Sequence, residues 1–488
     1  MMLAININEE LGTPMFIQIC EEIKNLIDTG ILSEGDKLPS SRKLSEQLDV
    51  HRSTVYKAYE ELWAAGYIES KPGSYSTVRQ RSKLNQNTIS TTEDLFDWDL
   101  KVNKHIHSVS KEINAFKSNY GPEFINFLPV SPDPSLIPAN DLRKSLNHVL
   151  NKYGSDLLNY NGIDGYLPLR EYLAKQMKIH GINTSPDEII LTNGVQNSLE
   201  LLINLLYKPG SYIIIEEPSY SSAIDLFKLY NLNLIAIPVT QDGIDLEKLE
   251  SKLKNKDISF IYTMPNFHNP YSITSPASHR EQLIKICNKY EVPIIEDGFE
   301  EDLKYFGKAV PPLKSMDSKG MVVYLGTYSK ILFPGLRIGW ISANIKAIEY
   351  LKVLKRATQI TDNHLLQAAL HHYCESGYLV NHLNKMHRTY RKRMTVATKL
   401  IKAYINKPGI LYNLGNGGYT FWFELIDCKI SEAELVKKLK ENKILVTPGS
   451  NFYLNPTDSV TFRISIAHTN EDQIEKGIIT LADILNNL

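Results

Sequence analysis

Apolar positions along the chain follow two different rhythms. From about residue 15 to 66 they recur every three or four residues. MFIQICEEIKNLIDTG puts Ile19, Ile23, Leu26 and Ile27 on one side of a helix that stops at Gly30. GDKLPSSRKLSEQL turns Leu44 and Leu48 inward on a second helix, led in by Pro39 and capped by Ser40 or Ser41. After a turn at Asp49-Val50, HRSTVYKAYEELWAAG predicts a third helix. Its core side is Val55, Tyr59 and Leu62, and Gly66 ends it. YIESKPGSYSTV reads as a hairpin around Pro72-Gly73. Residues about 80–121 are polar and unpatterned, as a linker would be. Beyond about 122, short apolar runs alternate with helical stretches. Strands are expected at Ile189–Thr192, Tyr212–Glu216, Leu234–Pro238, Ile258–Thr263, Val292–Glu296, Val322–Leu325 and Ile338–Ser342. That alternation predicts an α/β fold, a mainly parallel sheet with helices on both faces. From about 390 to 488, helices mix with GGYTFWFEL, ILVTPG and TFRISIA, which fits a small α+β subdomain. The expected organisation is therefore 1–79, a linker 80–121, and 122–488.

Charge and cysteine content narrow the classes. Over 488 residues, 54 Lys+Arg face 55 Asp+Glu, a net charge of −1. A wholesale polyanion binder is excluded, but a local basic face is not. No apolar run approaches the roughly 18 residues of a membrane span, so no membrane partner is expected. MMLAININEELG lacks the cationic start of a secretory signal. Cys20, Cys287, Cys374 and Cys428 form no CxxC, which points to reduced thiols in a cytoplasmic protein and to no metal site.

Two helices joined by a tight turn, the second with cationic and polar groups at its start, is the helix-turn-helix design. The first turn of a recognition helix has to reach base edges, which suits Arg52 and Ser53. Arg42, at the start of the preceding helix, is placed for a phosphate or a guanine edge. Residues 1–80 hold eight cations and twelve carboxylates, yet Arg42, Lys43, Arg52, Lys57 and Lys71 gather on one side. GDKLPSSRKLSEQLDVHRSTVYKAYEELWAAGYIESKPG closely resembles the winged helix-turn-helix of GntR-type bacterial transcription regulators. The resemblance implies Arg42, Arg52 and Thr54 as DNA contacts and Gly73 in the wing. His51 stands where that family often has Ser or Thr.

The densest chemistry lies in YLGTYSKILFPGLRIGW, residues 324–340. A lysine that forms a Schiff base must sit at a fixed distance from the groups holding its cofactor's phosphate. The hydroxyls of Thr327 and Ser329 and the guanidinium of Arg337 suit that phosphate, with Lys330 as the amine. In IIEDGFEED, Asp297 ends an apolar strand, where a carboxylate can pair with a protonated pyridine nitrogen. LTNGVQNSLELL puts Gly194, Val195 and Gln196 at a strand-to-helix turn whose N–H groups can hold an anion. Tyr220 in EEPSYSSA offers a stacking face, and Asn269 in FHNPYS a donor to a phenolic oxygen. Singly, each has an ordinary explanation: a solvated lysine, a capping aspartate, a packing tyrosine. Their order is far more specific. With YNGIDGYLPLREYLA, these landmarks make residues 122–488 resemble a fold-type I pyridoxal-phosphate aminotransferase.

That resemblance implies pyridoxal 5'-phosphate as cofactor and Lys330 as the residue that carries it. Asp297 then partners the ring nitrogen, and Thr327, Ser329, Arg337 and the 194–196 turn hold the phosphate. Arg463, in TFRISIA, matches an arginine that grips a substrate carboxylate. Tyr160 matches a tyrosine that reaches the phosphate of a neighbouring subunit, which implies at least a dimer. Two positions depart from the family. Phe299 replaces a tyrosine that bonds the phenolic oxygen, and Ser272 replaces a glycine, both of which weaken the expectation of efficient transamination.

A winged helix-turn-helix ahead of such a domain resembles the MocR/GabR branch of the GntR regulators. This implies a regulator of promoter DNA whose aminotransferase-like domain senses pyridoxal phosphate or a small amino compound. It also implies a head-to-tail homodimer. As a flexible coil, the ~40-residue linker would span about 35 Å. The alternative is a working class I/II aminotransferase with an accessory DNA-binding head.

Overall fold

The computed structural model describes residues 3–8, 12–70, 75–79, 97–103, 106, 120–299, 301–426 and 428–488. The chain forms two compact units, Met1–Val102 and Asn103–Leu488. The expected linker, 80–121, falls mostly outside the described residues, as do Lys71 and the turn residues Pro72 and Gly73.

The first unit contains α1 (Met15–Asp28), α2 (Ser41–Leu48), α3 (Arg52–Ala64), β1 (Ile68–Glu69) and β2 (Thr77–Val78). Ile19, Cys20, Ile23 and Leu26 of α1 pack with Leu44 of α2 and with Val55, Ala58, Tyr59 and Leu62 of α3. Ser40 caps α2 by accepting from the Lys43 amide at 3.3 Å. Asp49 leaves α2 in a left-handed conformation, φ 50°, which sets the tight turn into α3. Tyr59 of α3 ties down the segment leading into α2 by donating from its hydroxyl to the Pro39 carbonyl at 2.8 Å. The hairpin pairs antiparallel, Ile68 with Val78 and Glu69 with Thr77.

The second unit opens with the short strand β3 (Ile125–Asn126). Its central sheet follows, built from β4 (Ile189–Thr192), β5 (Tyr212–Glu217), β6 (Asn233–Thr240), β7 (Gly243–Ile244), β8 (Ile258–Thr263), β9 (Ile294–Asp297), β10 (Val322–Thr327) and β11 (Gly339–Ser342). The order is β4-β11-β10-β9-β8-β5-β6-β7. Neighbours from β10 through β6 run parallel, while β11 lies antiparallel between β10 and β4. β4, β8, β9 and β10 are buried at every position, which is why they read as mainly apolar runs, with Glu296 and Asp297 closing β9. β9 starts two residues later than the pattern suggests. The Val292 amide is taken by the Cys287 carbonyl, closing the helix Ala277–Tyr290. The carboxyl ends of β4, β5, β8, β9 and β10 all point the same way, and the functional loops leave from that edge.

The smaller subdomain has an antiparallel sheet, β12 (Ile410–Leu414), β13 (Thr420–Leu425), β15 (Thr447–Pro448) and β16 (Val460–Ser465), in the order β12-β13-β16-β15. The helices Tyr378–Tyr404, Glu432–Glu441 and Glu471–Asn486 accompany it. The strand β14 (Ile444–Leu445) pairs in parallel with β3, so the first residues of the large unit belong to its last subdomain. The described cysteines carry no disulfide. Among the described residues no helix is long and apolar enough to cross a membrane.

Candidate functional site

At the carboxyl edge of the sheet lies a cavity of about 220 Å³. One end is built for an anion. Thr192 ends β4, and Gly194 turns the chain with φ +93° into the helix Val195–Leu206. A Cβ at Gly194 would stand 3.2 Å from the Arg337 Nη2. Glycine therefore leaves the space that brings the guanidinium against the helix N-terminus, where unpaired amides favour negative charge. Arg337 is itself left-handed, φ 51°, and donates from Nη2 to the Asn193 carbonyl at 2.6 Å. Thr327, at the end of β10, accepts from the Ser329 amide at 3.1 Å, and the two hydroxyls lie 3.1 Å apart. Gln196 donates to the Ser222 carbonyl at 2.6 Å, tying this turn to the one after Tyr220. Val195, Gln196, Thr327, Ser329 and Arg337 all line the cavity.

The other end holds Lys330, Asp297, Asn269, Tyr220 and Phe299. Asp297 is 1% exposed. Its Oδ2 accepts from the Tyr262 hydroxyl at 2.7 Å, whereas its Oδ1 is buried with no hydrogen-bond partner. Burial pushes its carboxyl up to about 6, against the pull of the Tyr262 hydrogen bond and the Lys330 charge. A buried acceptor without a donor costs stability until something supplies one. A protonated pyridine nitrogen is such a donor, and the cradle at Gly194 suits a phosphate, so the residues fit pyridoxal phosphate. Tyr220 is half-buried, with its phenol raised by desolvation, and is neutral at ordinary pH. Phe299 lines the cavity with a side chain that has no hydrogen-bond donor.

Backbone carbonyls of one segment, 128–130, run through the site. Lys330 Nζ donates to the Val130 carbonyl at 3.0 Å. Arg463 Nη2 donates to the Leu128 carbonyl at 3.2 Å, and the Ser465 hydroxyl donates to that of Pro129. Arg463 also donates from Nη1 to Asn269 Oδ1 at 2.8 Å. With its oxygen engaged by the guanidinium, Asn269 has its amide nitrogen left as a donor toward the cavity. Arg463 thus reaches the cavity through Asn269 rather than lining it. Ser272 adopts φ 61°, a conformation that favours glycine, and its hydroxyl lies 2.9 Å from that of Thr420.

Tyr160 lies outside this constellation and is 84% exposed. Its loop is fixed: Asn161 exchanges hydrogen bonds with Thr361, and the buried Lys355 donates to the Ile163 carbonyl.

In the first unit, Arg42 and Arg52 are exposed and Thr54 is half-buried. Arg42 pairs loosely with Glu46 at 3.3 Å, and Arg52 donates to the Ser41 hydroxyl at 3.4 Å. His51 caps α3 by accepting from the Ser53 amide at 3.3 Å, so it performs the capping task of the usual Ser or Thr. Lys57 holds its ammonium 4.0 Å from the centre of the Phe16 ring. A groove of about 640 Å³ between α3 and the hairpin is lined by Ser40, Ser41, Tyr56, Trp63 and Tyr75, among others. Gly73 lies outside the described residues.

Sequence reasoning missed Tyr262 and Val130. A phenol in an all-buried strand needs a hydrogen-bond partner, and that requirement was the available signal for Tyr262. A backbone carbonyl leaves no signal at all.

Comparison with known proteins agrees with both halves. The family "Aminotransferase class I and II" matches residues 132–481, and "Bacterial regulatory proteins, gntR family" matches residues 17–78. The uncharacterized HTH-type transcriptional regulator YdfD of Bacillus subtilis (strain 168) is 30% identical over 480 residues, 97% of this chain and 97% of the relative. Aromatic-amino-acid aminotransferase 1 of Thermococcus litoralis is 31% identical over 363 residues, 72% of this chain and 86% of the relative. The crystal structure of LysN, the α-aminoadipate aminotransferase of Thermus thermophilus, complexed with N-(5'-phosphopyridoxyl)-L-leucine, matches with a TM-score of 0.73 and 26% identity. It covers 80% of this chain and 99% of that one. The large unit is thus a class I and II aminotransferase domain, and over its full length the chain belongs to the HTH-type transcriptional regulators that carry a gntR-family head.

Proposed function

We propose that the protein is a DNA-binding transcription regulator whose aminotransferase domain holds pyridoxal phosphate and responds to it or to a small amino compound. The observation that carries this reading is the hydrogen bond from Lys330 Nζ to the carbonyl of Val130. When bound, pyridoxal phosphate supplies an aldehyde that combines with an amine and a ring that withdraws electrons from it. Lys330 is the amine placed for that aldehyde. Asp297 Oδ1 would accept a hydrogen bond from the ring nitrogen, Tyr262 holds that carboxylate in place, and Tyr220 would offer a stacking face. Gly194, Val195, Gln196, Thr327, Ser329 and Arg337 hold the phosphate. Asn269 donates to the phenolic oxygen, and Arg463 takes the carboxylate of an amino compound.

Pyridoxal phosphate held by Lys330 would engage the nitrogen that donates to the Val130 carbonyl, and an amino compound taking the lysine's place would return that amine to the carbonyl. Either change alters what Val130 can accept, and Val130 lies in the stretch by which the chain enters the large unit. Leu128 and Pro129 share that stretch, so a carboxylate drawing on Arg463 acts on the same backbone. A ligand changes DNA affinity only by its unequal affinity for the two states of this segment.

The head docks through the first turn of α3, with Arg52 and Thr54 toward base edges and Arg42 on a phosphate. Such a protein works in the cytoplasm, where promoter DNA is. The exposed Tyr160 supports a homodimer of head-to-tail arrangement in which it completes the partner's phosphate site. Exposed Ile360 and Val353 lie on adjoining segments and supply apolar surface for that contact. The 31% identity to an aromatic-amino-acid aminotransferase favours a second reading, a working transaminase. Phe299, lacking the phenolic donor, counts against it.

The test uses the purified full chain with pyridoxal phosphate and a duplex from upstream of its own gene. The protein should absorb near the visible edge and bind the duplex. Lys330→Ala should lose the absorption and the response of DNA affinity to amino compounds. Arg52→Ala should lose DNA binding and keep the absorption. Steady turnover of an amino donor with 2-oxoglutarate at ~1–1000 per second, without DNA binding, would overturn the proposal in favour of the enzyme.

A further inference from the structure

The helix Tyr378–Tyr404 is 27 residues long and contains seven Lys or Arg and no Asp or Glu. In a chain of net charge −1, such a stretch is a strong local departure. The inward face accounts for one cation: Arg393 is buried and bonds the Asp133 carboxylate and the Ala467 carbonyl. The other six, Lys385, Arg388, Arg391, Lys392, Lys399 and Lys402, are all exposed. Lys385, Arg388, Lys392, Lys399 and Lys402 recur at helical intervals along one stripe. Arg391 lies beside the stripe, over the ring of Phe306 at 5.5 Å. Among the described residues, Lys392 has the one carboxylate partner of the six, Glu471 at 3.3 Å.

A solvated helix face ordinarily mixes both signs, because like charges three and four residues apart repel. Among the described residues Glu471, on Lys392, is the one carboxylate that offsets this repulsion, so the natural complement of the face is an extended polyanion. From Lys385 to Lys402 the stripe runs about 26 Å at 1.5 Å per residue. That is about eight base-pair steps of duplex DNA, whose phosphates repeat every 3.4 Å along each strand.

We infer that the outer face of this helix is a second DNA-binding surface, which grips the phosphate backbone without reading sequence. The inference rests on the DNA-binding reading above. It adds that the aminotransferase domain itself holds the duplex, supplying affinity while α3 supplies selectivity.

The experiment compares the full chain with a variant carrying Lys385→Ser, Arg388→Ser, Lys399→Ser and Lys402→Ser. All four positions are exposed, lie outside the cofactor site, and leave the Lys392–Glu471 pair intact. Dissociation constants are measured from low to moderate salt on the upstream duplex and on a random duplex of equal length. For each removed cation that sits on a phosphate, the slope of log affinity against log salt should flatten by about 0.9. Affinity at low salt should fall tenfold or more on both duplexes alike, with the cofactor absorption unchanged. An unaltered slope and affinity, with Arg52→Ala still abolishing selective binding, would overturn this inference and leave the regulator reading standing. Failure of the unmodified chain to bind either duplex would overturn both. Unchanged DNA binding with lost transcriptional control in cells would assign the stripe to an acidic protein surface instead, and equally end the proposal.

Discussion

The two units keep their functional groups in opposite conditions. In the head, Arg42 and Glu46 are 79% and 68% exposed at the side chain, so their pairing contributes little to stability. The residues that would meet DNA are thus nearly independent of those that hold the fold. In the large unit Asp297, Asn269, Thr327 and Arg463 are buried, Lys330 is half-buried and Arg337 alone of the named cations is exposed. Asp297 has lost its water and has no donor on Oδ1, while Arg463 and Lys330 are bonded to backbone carbonyls. There, function and stability draw on the same atoms. A surface reader can change its target by single substitutions at little cost to folding. A buried chemical site cannot.

The most damaging break should come from the head's small core. Leu44 is fully buried among about fifteen residues. Leu44→Ala should cost about 2–5 kcal/mol, enough to unfold the head. DNA binding should vanish while the cofactor absorption stays, as paired spectroscopic and gel-shift measurements would reveal. If both were lost together, the units would not be independent.

Asp297→Asn sharpens the contrast from the other side. The carboxyl's folded value of about 6 lies above its ordinary 3.8, so the folded state holds a proton that the unfolded chain has lost. Stability is therefore greatest below about pH 4 as far as this group is concerned, falls between pH 4 and 6, and stays reduced above. The penalty is on the order of 3 kcal/mol. Without cofactor, Asp297→Asn should melt higher than the unmodified chain at pH 7–8, and the two should converge near pH 4. Burial raises Glu296 to about 7 in the same direction, but it is common to both proteins and drops out of the difference. With cofactor added, the variant should lose the stabilisation that the unmodified chain gains. Equal melting temperatures at pH 8 would mean that Asp297 is not strained.

The smallest stability effect should be that of Arg42→Ala, within about 0.5 kcal/mol by thermal melting. Its DNA affinity should still fall, alike on every duplex and with a salt slope flatter by about 0.9, as for a lost phosphate contact. A large drop in melting temperature would show that the exposed face of α2 also holds the head together.

Legibility followed the same division. β4 and β8 matched the sequence expectation residue for residue, because strands buried on both faces are built mainly from apolar side chains and stand out from the helices around them. Lys330, Asp297 and Gly194 stand out in the sequence because each follows or ends an apolar strand, and the structure places all three at the carboxyl edge of the sheet. β3 was not readable. Two residues carry no periodicity, and its partner β14 lies near the far end of the chain. Tyr262 reads as core because its ring is core, and only its hydroxyl is chemistry. The tie between Arg463 and Asn269 joins two motifs that the sequence reading treated separately.

If the bonds to the Leu128, Pro129 and Val130 carbonyls couple the cofactor site to DNA binding as proposed, thermodynamic linkage makes that coupling symmetrical. Promoter fragments should then tighten or loosen the vitamin by the same factor that the vitamin alters promoter affinity, and chromosomal occupancy would act as an effector in its own right.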